Sequence, residues 1–326
     1  MNSRNASSEI GTIVTGKASL PNPYIGRFAP SPTGPLHFGS LLAAVASFLE
    51  ARKHGGQWLL RVEDIDPPRE QPGATDAILT ALDAFGFEWD GPVTYQSDSR
   101  SDHDAAVQSL AAAGKLYRCG CSRRDLAAAP RGSLGIIYPG TCRDGSNTAE
   151  AAHRVLTDDE PIVFEDRLQG EQSQRLESES GDFVVLRRDN LIAYQLAVVV
   201  DDYLQGITEV VRGIDLMDST PRQLWLQRLL GYPAPVYCHM PVVVNDQGQK
   251  LSKSHGATGV SFERKSTTLV AALELLGQGP PRDLHTGSLT EIWAWARVNW
   301  NIDVLEGVTE IAAGLHALAE NENGLS

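Results

Sequence analysis

Long apolar runs are missing from this 326-residue chain. No stretch of about 18 apolar residues occurs, so we expect no membrane span. The first 22 residues also lack a continuous apolar segment, which argues against a secretion signal. Their polar composition predicts a disordered N-terminal extension over residues 1–22. These absences favour a cytoplasmic protein, which we expect to be a monomer.

Cysteine is scarce as well, with only four residues in the chain. A chain of this length can bury enough surface to hold its core without disulfides, and it has room for about two domains. Three of the cysteines, Cys119, Cys121 and Cys142, fall close together, whereas Cys238 lies alone in an apolar segment and is expected in the core. Without an export signal, the cluster indicates a metal site rather than a disulfide framework, although three free buried thiols remain the alternative.

Basic residues are outnumbered, because 28 Lys and Arg face 41 Asp and Glu and give a net charge of −13. This balance argues against a general nucleic-acid binder, since phosphate contacts need cations. Residues 115–143 nevertheless hold six basic side chains and one acid, Asp125. Such a local patch can steer one particular polyanion, or it can be an ordinary charged surface loop.

Apolar segments alternate between strand and helix spacing at the front of the chain. We predict strand Tyr24–Ala29, helix Gly39–His54, strand 57–62 and helix 74–87, a pattern typical of a parallel sheet with crossover helices. The alternation stops near residue 91 and resumes at residue 183 with the following predicted elements: strand 184–187, helix 195–204, strand 208–212, helix 218–230 and strand 236–244. Residues from Leu269 onward have a helical pattern.

The segment from Phe28 to Ser40 leads from a predicted strand into a predicted helix. A helix N-terminus offers free N–H groups and a positive dipole end, which suits phosphate. His37 can donate to a phosphate oxygen, and Gly39 leaves the backbone open to a flat ligand. The glycine spacing of this loop matches neither the G-x-G-x-x-G motif nor a Walker loop. The alternative is an ordinary Pro/Gly loop with a capping His.

Lys250 to Ser254 form a second short segment, with two lysines three residues apart and serines between them. Lysine is a compact charge that suits a phosphate. Taken alone, this segment is equally typical of an exposed surface loop.

In this order, the two segments resemble the signature pair of the class I aminoacyl-tRNA synthetases. Other segments resemble the glutamyl-tRNA synthetases closely: Arg27–Gly34, Arg61–Asp66, Tyr194–Asp202 and Val211–Asp215. The likeness runs from about Tyr24 to Ser254. It implies an α/β fold with a Rossmann-type parallel sheet (23–90 and 183–258), an inserted zinc-containing subdomain (91–182) and a short helical C-terminal region (259–326).

The resemblance also implies roles for individual side chains. The side-chain carboxylate of L-glutamate needs a planar cation, and Arg27 and Arg212 occupy the matching positions. Glu63 would accept from the α-ammonium group and Tyr194 would add a hydroxyl contact. The remaining substrate-binding positions are Phe28, Ala29, Pro30 and Ser31. For ATP with Mg²⁺, the implied residues are His37, Gly39, Lys250, Ser252 and Lys253, of which His37 and Lys253 would assist catalysis.

Three departures from the full-length glutamyl enzymes change the expected acceptor. Ser40 stands where the first signature has His or Gly, and no anticodon-binding domain is expected after residue 258. The segment from Ile65 to Glu70 resembles that of the truncated glutamyl-queuosine tRNA(Asp) synthetases, as do the positions Cys119, Cys121, Tyr138 and Cys142. Such enzymes activate glutamate without tRNA and esterify the wobble base queuosine of tRNA(Asp).

Two functions and one ligand remain open at this point. A shortened enzyme that charges a tRNA 3′ end would carry the same motifs, and a synthetase-like RNA-binding module without catalysis belongs to another class. The resemblance makes Tyr138 the fourth ligand of one structural Zn²⁺ per chain. Water and Asp125 are the alternatives.

Overall fold

The computed structural model describes residues 23–132, 135–245, 260 and 263–312. Its helices are α1 (Phe38–Lys53), α2 (Ala74–Ala84), α3 (Arg100–Ala112), α4 (Leu176–Glu179), α5 (Tyr194–Leu204), α6 (Thr220–Leu230), α7 (Lys265–Leu275) and α8 (Leu289–Asn299). Its strands are β1 (Ile25–Phe28), β2 (Gln57–Val62), β3 (Thr94–Tyr95), β4 (Leu116–Cys119), β5 (Arg131–Gly132), β6 (Gly135–Ile136), β7 (Ala152–Val155), β8 (Pro161–Asp166), β9 (Gly170–Arg175), β10 (Val184–Leu186), β11 (Glu209–Gly213), β12 (Val236–Met240), β13 (Val242–Val244) and β14 (Glu310–Ala312).

Parallel pairing dominates the larger part of the molecule. β1 pairs with β2, and β2 pairs with β3, all in parallel. β11 pairs with β12 in parallel, and β12 touches the end of β8 in the same direction. The backbone N–H of Thr208 donates to the carbonyl oxygen of Ile25 at 2.9 Å, which brings β11 beside β1. The predicted α/β fold with a parallel sheet is confirmed.

Side chains alternate between the two faces of these strands, because successive residues of a strand point in opposite directions. Trp58 and Leu60 join a core with residues of α1, α2, α7 and α8. Leu59, between them, belongs to a second core with residues of α3, α5 and α6. Cys238 is fully buried in the first core, as predicted. Both faces of the sheet are therefore covered by helices.

Two predicted strands differ from the structure. β10 leaves the parallel sheet and pairs antiparallel with β7, which also pairs antiparallel with β4. The predicted strand 236–244 is divided at Pro241, which has no N–H to donate and therefore interrupts a ladder. Beyond it, β13 pairs in parallel with β14 near the C-terminus. Conversely, β3 and β8 join parallel strands although both lie within the range 91–182 that we assigned to the insertion.

The helical C-terminal region packs directly on the core that covers one face of the parallel sheet. Trp293 of α8 is 5% exposed and lies edge-on to Phe48 of α1 and to Phe87. Its indole N–H donates to the carbonyl oxygen of Phe85 at 2.8 Å. The described part of this region is thus continuous with the core. Among the described residues, no helix is long and apolar enough to cross a membrane.

Candidate active site

A cavity of about 330 Å³ opens where β1 and β11 end. Parallel strands present their carboxyl ends at one edge, which is where open α/β sheets bind ligands. Ten of the residues predicted from the sequence line this cavity: Arg27, Phe28, Ala29, Pro30, Ser31, His37, Gly39, Glu63, Tyr194 and Arg212. Lys250, Ser252 and Lys253 lie outside the described residues.

The loop after β1 is tied to the end of β2. The backbone N–H of Glu63 donates to the carbonyl oxygen of Pro30 at 3.0 Å. This bond continues the parallel pairing of β1 and β2 beyond the ends of the two strands. It places Glu63 and Ser31 together in the lining of the cavity. Two distant motifs of the sequence therefore meet through ordinary strand pairing.

His37 is the N-cap of α1. The backbone N–H of Ser40 donates to its Nδ1 at 3.2 Å, and the Ser40 hydroxyl lies 3.0 Å from its Nε2. A side chain at this position satisfies one of the unpaired N–H groups of the first turn. The departure from the family pattern at Ser40 therefore has a structural role, since it fixes the imidazole beside the helix end that borders the cavity.

Arg27 and Arg61 share one carboxylate, that of Asp202 on α5. Arg27 Nε lies 3.2 Å from Asp202 Oδ1, and Arg61 lies 2.7 Å from the same oxygen. Burial alone would raise the pKa of Asp202, but the two guanidinium groups lower it below its usual value. Asp202 is therefore ionised and compensates part of the positive charge of Arg27 and Arg61.

Glu63 is held less firmly in its charged form. Burial raises its pKa, although Arg61, at 3.5 Å, and Arg27 oppose the shift. A nearby ammonium group would favour the carboxylate form, because an opposite charge stabilises it in a buried site. Burial also raises the pKa of the Tyr194 hydroxyl, which therefore remains a neutral hydrogen-bonding group.

Arg212 differs from Arg27 because its hydrogen-bond partners among the described residues are neutral. Its Nε donates to His239 Nε2 at 3.0 Å, and its Nη2 donates to the Thr220 hydroxyl at 2.8 Å and to the carbonyl oxygen of Leu216. Arg212 is 5% exposed and borders the cavity. Its charge is thus available to an anionic ligand, which a buried cation requires.

His239 is oriented in turn by Asp166. The two side chains are fully buried, with His239 Nδ1 2.6 Å from Asp166 Oδ2, and burial lowers the pKa of the imidazole. A neutral ring that donates through Nδ1 to the carboxylate presents the lone pair of Nε2 to Arg212. Asp166 therefore determines the tautomer that positions Arg212.

Sequence reasoning assigned no role to Asp202, His239 or Asp166. Asp202 follows Tyr194 by eight residues on a helix, a spacing that puts both on roughly one face and could have indicated a shared site. His239 sits in an apolar strand without a local pattern. Its contact with Asp166 joins residues 73 positions apart, which a single sequence does not reveal.

The cysteine cluster forms a second candidate site, in the antiparallel part of the molecule. The sulfur atoms of Cys119, Cys121 and Cys142 lie within 4.8 Å of one another. The Tyr138 hydroxyl lies 3.4 Å from Cys119 Sγ and 3.7 Å from Cys121 Sγ. Ligand atoms of a tetrahedral zinc ion, with bonds of about 2.3 Å to sulfur, lie roughly 3.8 Å apart. The three sulfur atoms are therefore compatible with such an ion, and the Tyr138 hydroxyl lies beside two of them.

Electrostatics around the cluster favour a thiolate at one position. Burial would raise the pKa of Cys119, but hydrogen bonding with Tyr138 and the nearby Arg154 lower it to about 7. Burial raises the pKa of Tyr138, so a phenolate ligand would need the charge of the metal itself. Asp125 instead bonds the backbone N–H and the hydroxyl of Ser122 and lies outside the cluster.

A close backbone contact fixes Tyr138 beside the cysteines. Gly181 has a φ of +68°, and a Cβ atom added there would lie 2.4 Å from the carbonyl oxygen of Tyr138. The backbone N–H of Tyr138 also donates to the carbonyl oxygen of Ser180. Only glycine fits both the conformation and the approach, so this residue determines where Tyr138 lies.

Comparison with known proteins identifies the class to which this fold belongs. The family described as tRNA synthetases class I (E and Q), catalytic domain, matches residues 25–268. A solved glutamate–tRNA synthetase from Elizabethkingia anophelis has the same fold, with a TM-score of 0.73 and 22% identity over 90% of this chain and 68% of that chain. The parallel sheet is that of a class I synthetase catalytic domain.

Relatives with higher sequence identity show which family within this class the chain belongs to. The glutamyl-Q tRNA(Asp) synthetase of Dechloromonas aromatica is 54% identical over 87% of this chain and 96% of its own length. That of Pseudomonas aeruginosa is 52% identical over 85% of this chain and 94% of its length. The chain belongs to the glutamyl-Q tRNA(Asp) synthetase family, and it is therefore a ligase of the class I synthetase type.

Proposed function

We propose that this enzyme activates L-glutamate with ATP in the absence of tRNA and transfers the glutamyl group to the wobble base queuosine of tRNA(Asp). The observation that carries the amino-acid choice is the cavity position of Arg212 with neutral partners. A guanidinium of this kind selects a carboxylate over the neutral amide of glutamine. The names of the relatives support the acceptor.

Recognition of glutamate uses cationic and anionic side chains that line the same cavity. Arg212 and Arg27 take the side-chain carboxylate, Glu63 takes the α-ammonium group, and the Tyr194 hydroxyl adds a contact. Phe28, Ala29, Pro30 and Ser31 line the same cavity as these side chains. Each charged group of glutamate would then face a side chain of opposite charge.

Activation then requires positioning and charge neutralisation rather than a nucleophilic residue of the protein. An oxygen of the glutamate α-carboxylate attacks the α-phosphorus of ATP, and pyrophosphate leaves with the electron pair of the broken P–O bond. His37, Gly39, Lys250, Ser252 and Lys253 contact the nucleotide in this proposal, and Mg²⁺ accompanies the pyrophosphate part. The N-terminus of α1 adds its dipole to this side of the cavity.

Zinc has a structural role in this proposal. Cys119, Cys121, Cys142 and Tyr138 would hold one ion and fold a loop that has few apolar residues of its own. Metal analysis of protein purified without chelator is expected to give about one equivalent of zinc per chain. A content below about half an equivalent would reject the site.

Labelled glutamate and ATP test the main proposal when they are supplied with tRNA from cells that make queuosine and from cells that do not. We expect glutamate-dependent ATP–pyrophosphate exchange without tRNA, and labelling only of tRNA(Asp) that contains queuosine. Labelling of a 3′ end would instead indicate a shortened glutamyl-tRNA synthetase. No exchange at all would indicate a non-catalytic RNA-binding module.

A further inference from the structure

A second cavity of about 270 Å³ adjoins the candidate active site. The two cavities share a wall formed by Ser31, Glu63 and Tyr194. The second cavity extends from this wall to the segment 65–70 and to the residues before α5. A group bound there would lie directly beside a glutamate bound in the first cavity.

Two oxygen atoms at this cavity have no hydrogen-bond partner among the described residues: Oε1 of Gln96 and Oε1 of Glu70. Gln96 is fully buried, and its amide nitrogen donates to Asp201 at 2.6 Å. Because a carboxylate only accepts, this bond fixes the orientation of the amide and leaves its oxygen without a donor. A buried acceptor without a donor is costly, so this position favours a ligand that donates hydrogen bonds.

Charges at the cavity favour a cation. Asp66 is already paired with Arg69 and lies 3.0 Å from Arg187, so its charge is compensated. Glu63 faces Arg61 at 3.5 Å. Glu70 has no cationic partner of this kind among the described residues, and burial together with Asp64 and Asp66 raises its pKa. A bound cation would stabilise the Glu70 carboxylate.

We propose that this second cavity is the acceptor subsite and takes the side group of queuosine, which carries a secondary ammonium and a cyclopentene diol. The inference rests on the proposed function, because it assumes queuosine as the acceptor. The ammonium contacts Glu70, a ring hydroxyl donates to Gln96, and the apolar ring face lies against Ile65 and Ile192, which also line the cavity. The oxygen atoms of Glu70 and Gln96 thus match the polar groups of this side group, and the two isoleucines match its apolar ring face.

Transfer then takes place across the shared wall. A hydroxyl oxygen of the diol attacks the acyl carbon of the glutamyl-adenylate and forms the ester bond. The acyl C–O bond to the phosphate breaks, AMP leaves with its electron pair, and the hydroxyl proton is released. The wall residues Glu63 and Tyr194 hold the glutamyl group in the first cavity while the acceptor enters the second.

The variant Glu70→Gln separates acceptor binding from activation. We expect its kcat/KM for transfer to queuosine-containing tRNA(Asp) to fall about tenfold or more, because a charge-assisted hydrogen bond is lost. Glutamate-dependent ATP–pyrophosphate exchange should stay within about twofold of the parent, since activation does not use this cavity. Free queuine base should inhibit transfer by the parent and should inhibit the variant less.

Glu171→Gln is the matched control, because Glu171 is an exposed carboxylate of β9 that lines neither cavity. It should leave both reactions unchanged. If Glu70→Gln transfers like the parent, or loses exchange and transfer equally, the acceptor subsite is rejected. If the parent itself exchanges pyrophosphate but never labels queuosine-containing tRNA, the proposed function fails first and the inference fails with it.

Discussion

At the level of single residues, the surroundings of Arg212 explain how one guanidinium is kept available for a ligand. Its neighbour His239 is neutral and points a lone pair at it because Asp166 accepts from the other ring nitrogen. Arg27, by contrast, already faces the ionised Asp202. The two arginines of the cavity therefore have different electrostatic surroundings, although the sequence analysis assigned the same role to both.

His239→Leu tests this positioning. The change removes the acceptor of the Arg212 Nε proton, so we expect the KM for glutamate in pyrophosphate exchange to rise about tenfold, with a smaller change in kcat. His239→Gln keeps an amide oxygen that can accept the same hydrogen bond and should recover part of the loss. A leucine variant with parental KM and an unchanged melting temperature would contradict the role.

Site residues that belong to one short sequence motif could be predicted. Site residues whose role depends on contacts between distant segments could not. Arg27 and Arg212 lie within strands, Glu63 directly follows a strand and Tyr194 begins a helix. All four line the cavity. His239 was missed because its function depends on Asp166, which reaches it through the neighbouring strands β8 and β12.

At the level of elements, local patterns predicted type and bounds better than pairing. The strand 57–62 was predicted to the residue, and α1 and α6 differ from their predicted bounds by only one or two residues at either end. β10 has the right type, but it pairs with β7 instead of joining the parallel sheet. Pairing depends on which edge a strand meets, and alternation in one sequence carries no information about that edge.

The close approach of Gly181 to Tyr138 gives a prediction at this scale. Gly181→Ala combines a left-handed backbone with a collision at Tyr138, so it should lower both the zinc content and the melting temperature. Gly145→Ala is the matched control, because Gly145 has a φ of +108° but open space around it. The control should lose only about 1 kcal/mol for its backbone conformation. Equal losses in both variants would show that the contact with Tyr138 is unimportant.

At the level of the whole molecule, one buried cluster connects segments that are far apart in the chain. Arg167, after β8, bonds Glu50 of α1 at 2.8 Å and also Glu209 of β11. The indole N–H of Trp300, after α8, donates to Glu50 at 2.7 Å. The helical C-terminal region is thus anchored to the catalytic sheet by a charged network as well as by the apolar core.

Stability should depend on pH through Glu209. Burial is the main cause that raises its pKa, from an ordinary 4.5 to about 7, with Glu50 adding to the shift and Arg167 opposing it. A raised pKa in the folded state means that this contribution to stability is full below pH 4.5 and is lost as the pH rises through about 7. The melting temperature of the parent should therefore fall between pH 5 and pH 8 more steeply than that of Glu209→Gln. Parallel curves for the two proteins would refute this assignment.

The neutral surroundings of Arg212 also affect how the purified protein should be assayed. The hydrogen-bond partners that the described residues give Arg212 are neutral, so citrate, phosphate or sulfate from a buffer can bind its guanidinium in place of substrate. Such occupancy would raise the apparent KM for glutamate and would stabilise the purified protein by mass action. Kinetic constants of different variants are therefore comparable only in buffers of identical anion content.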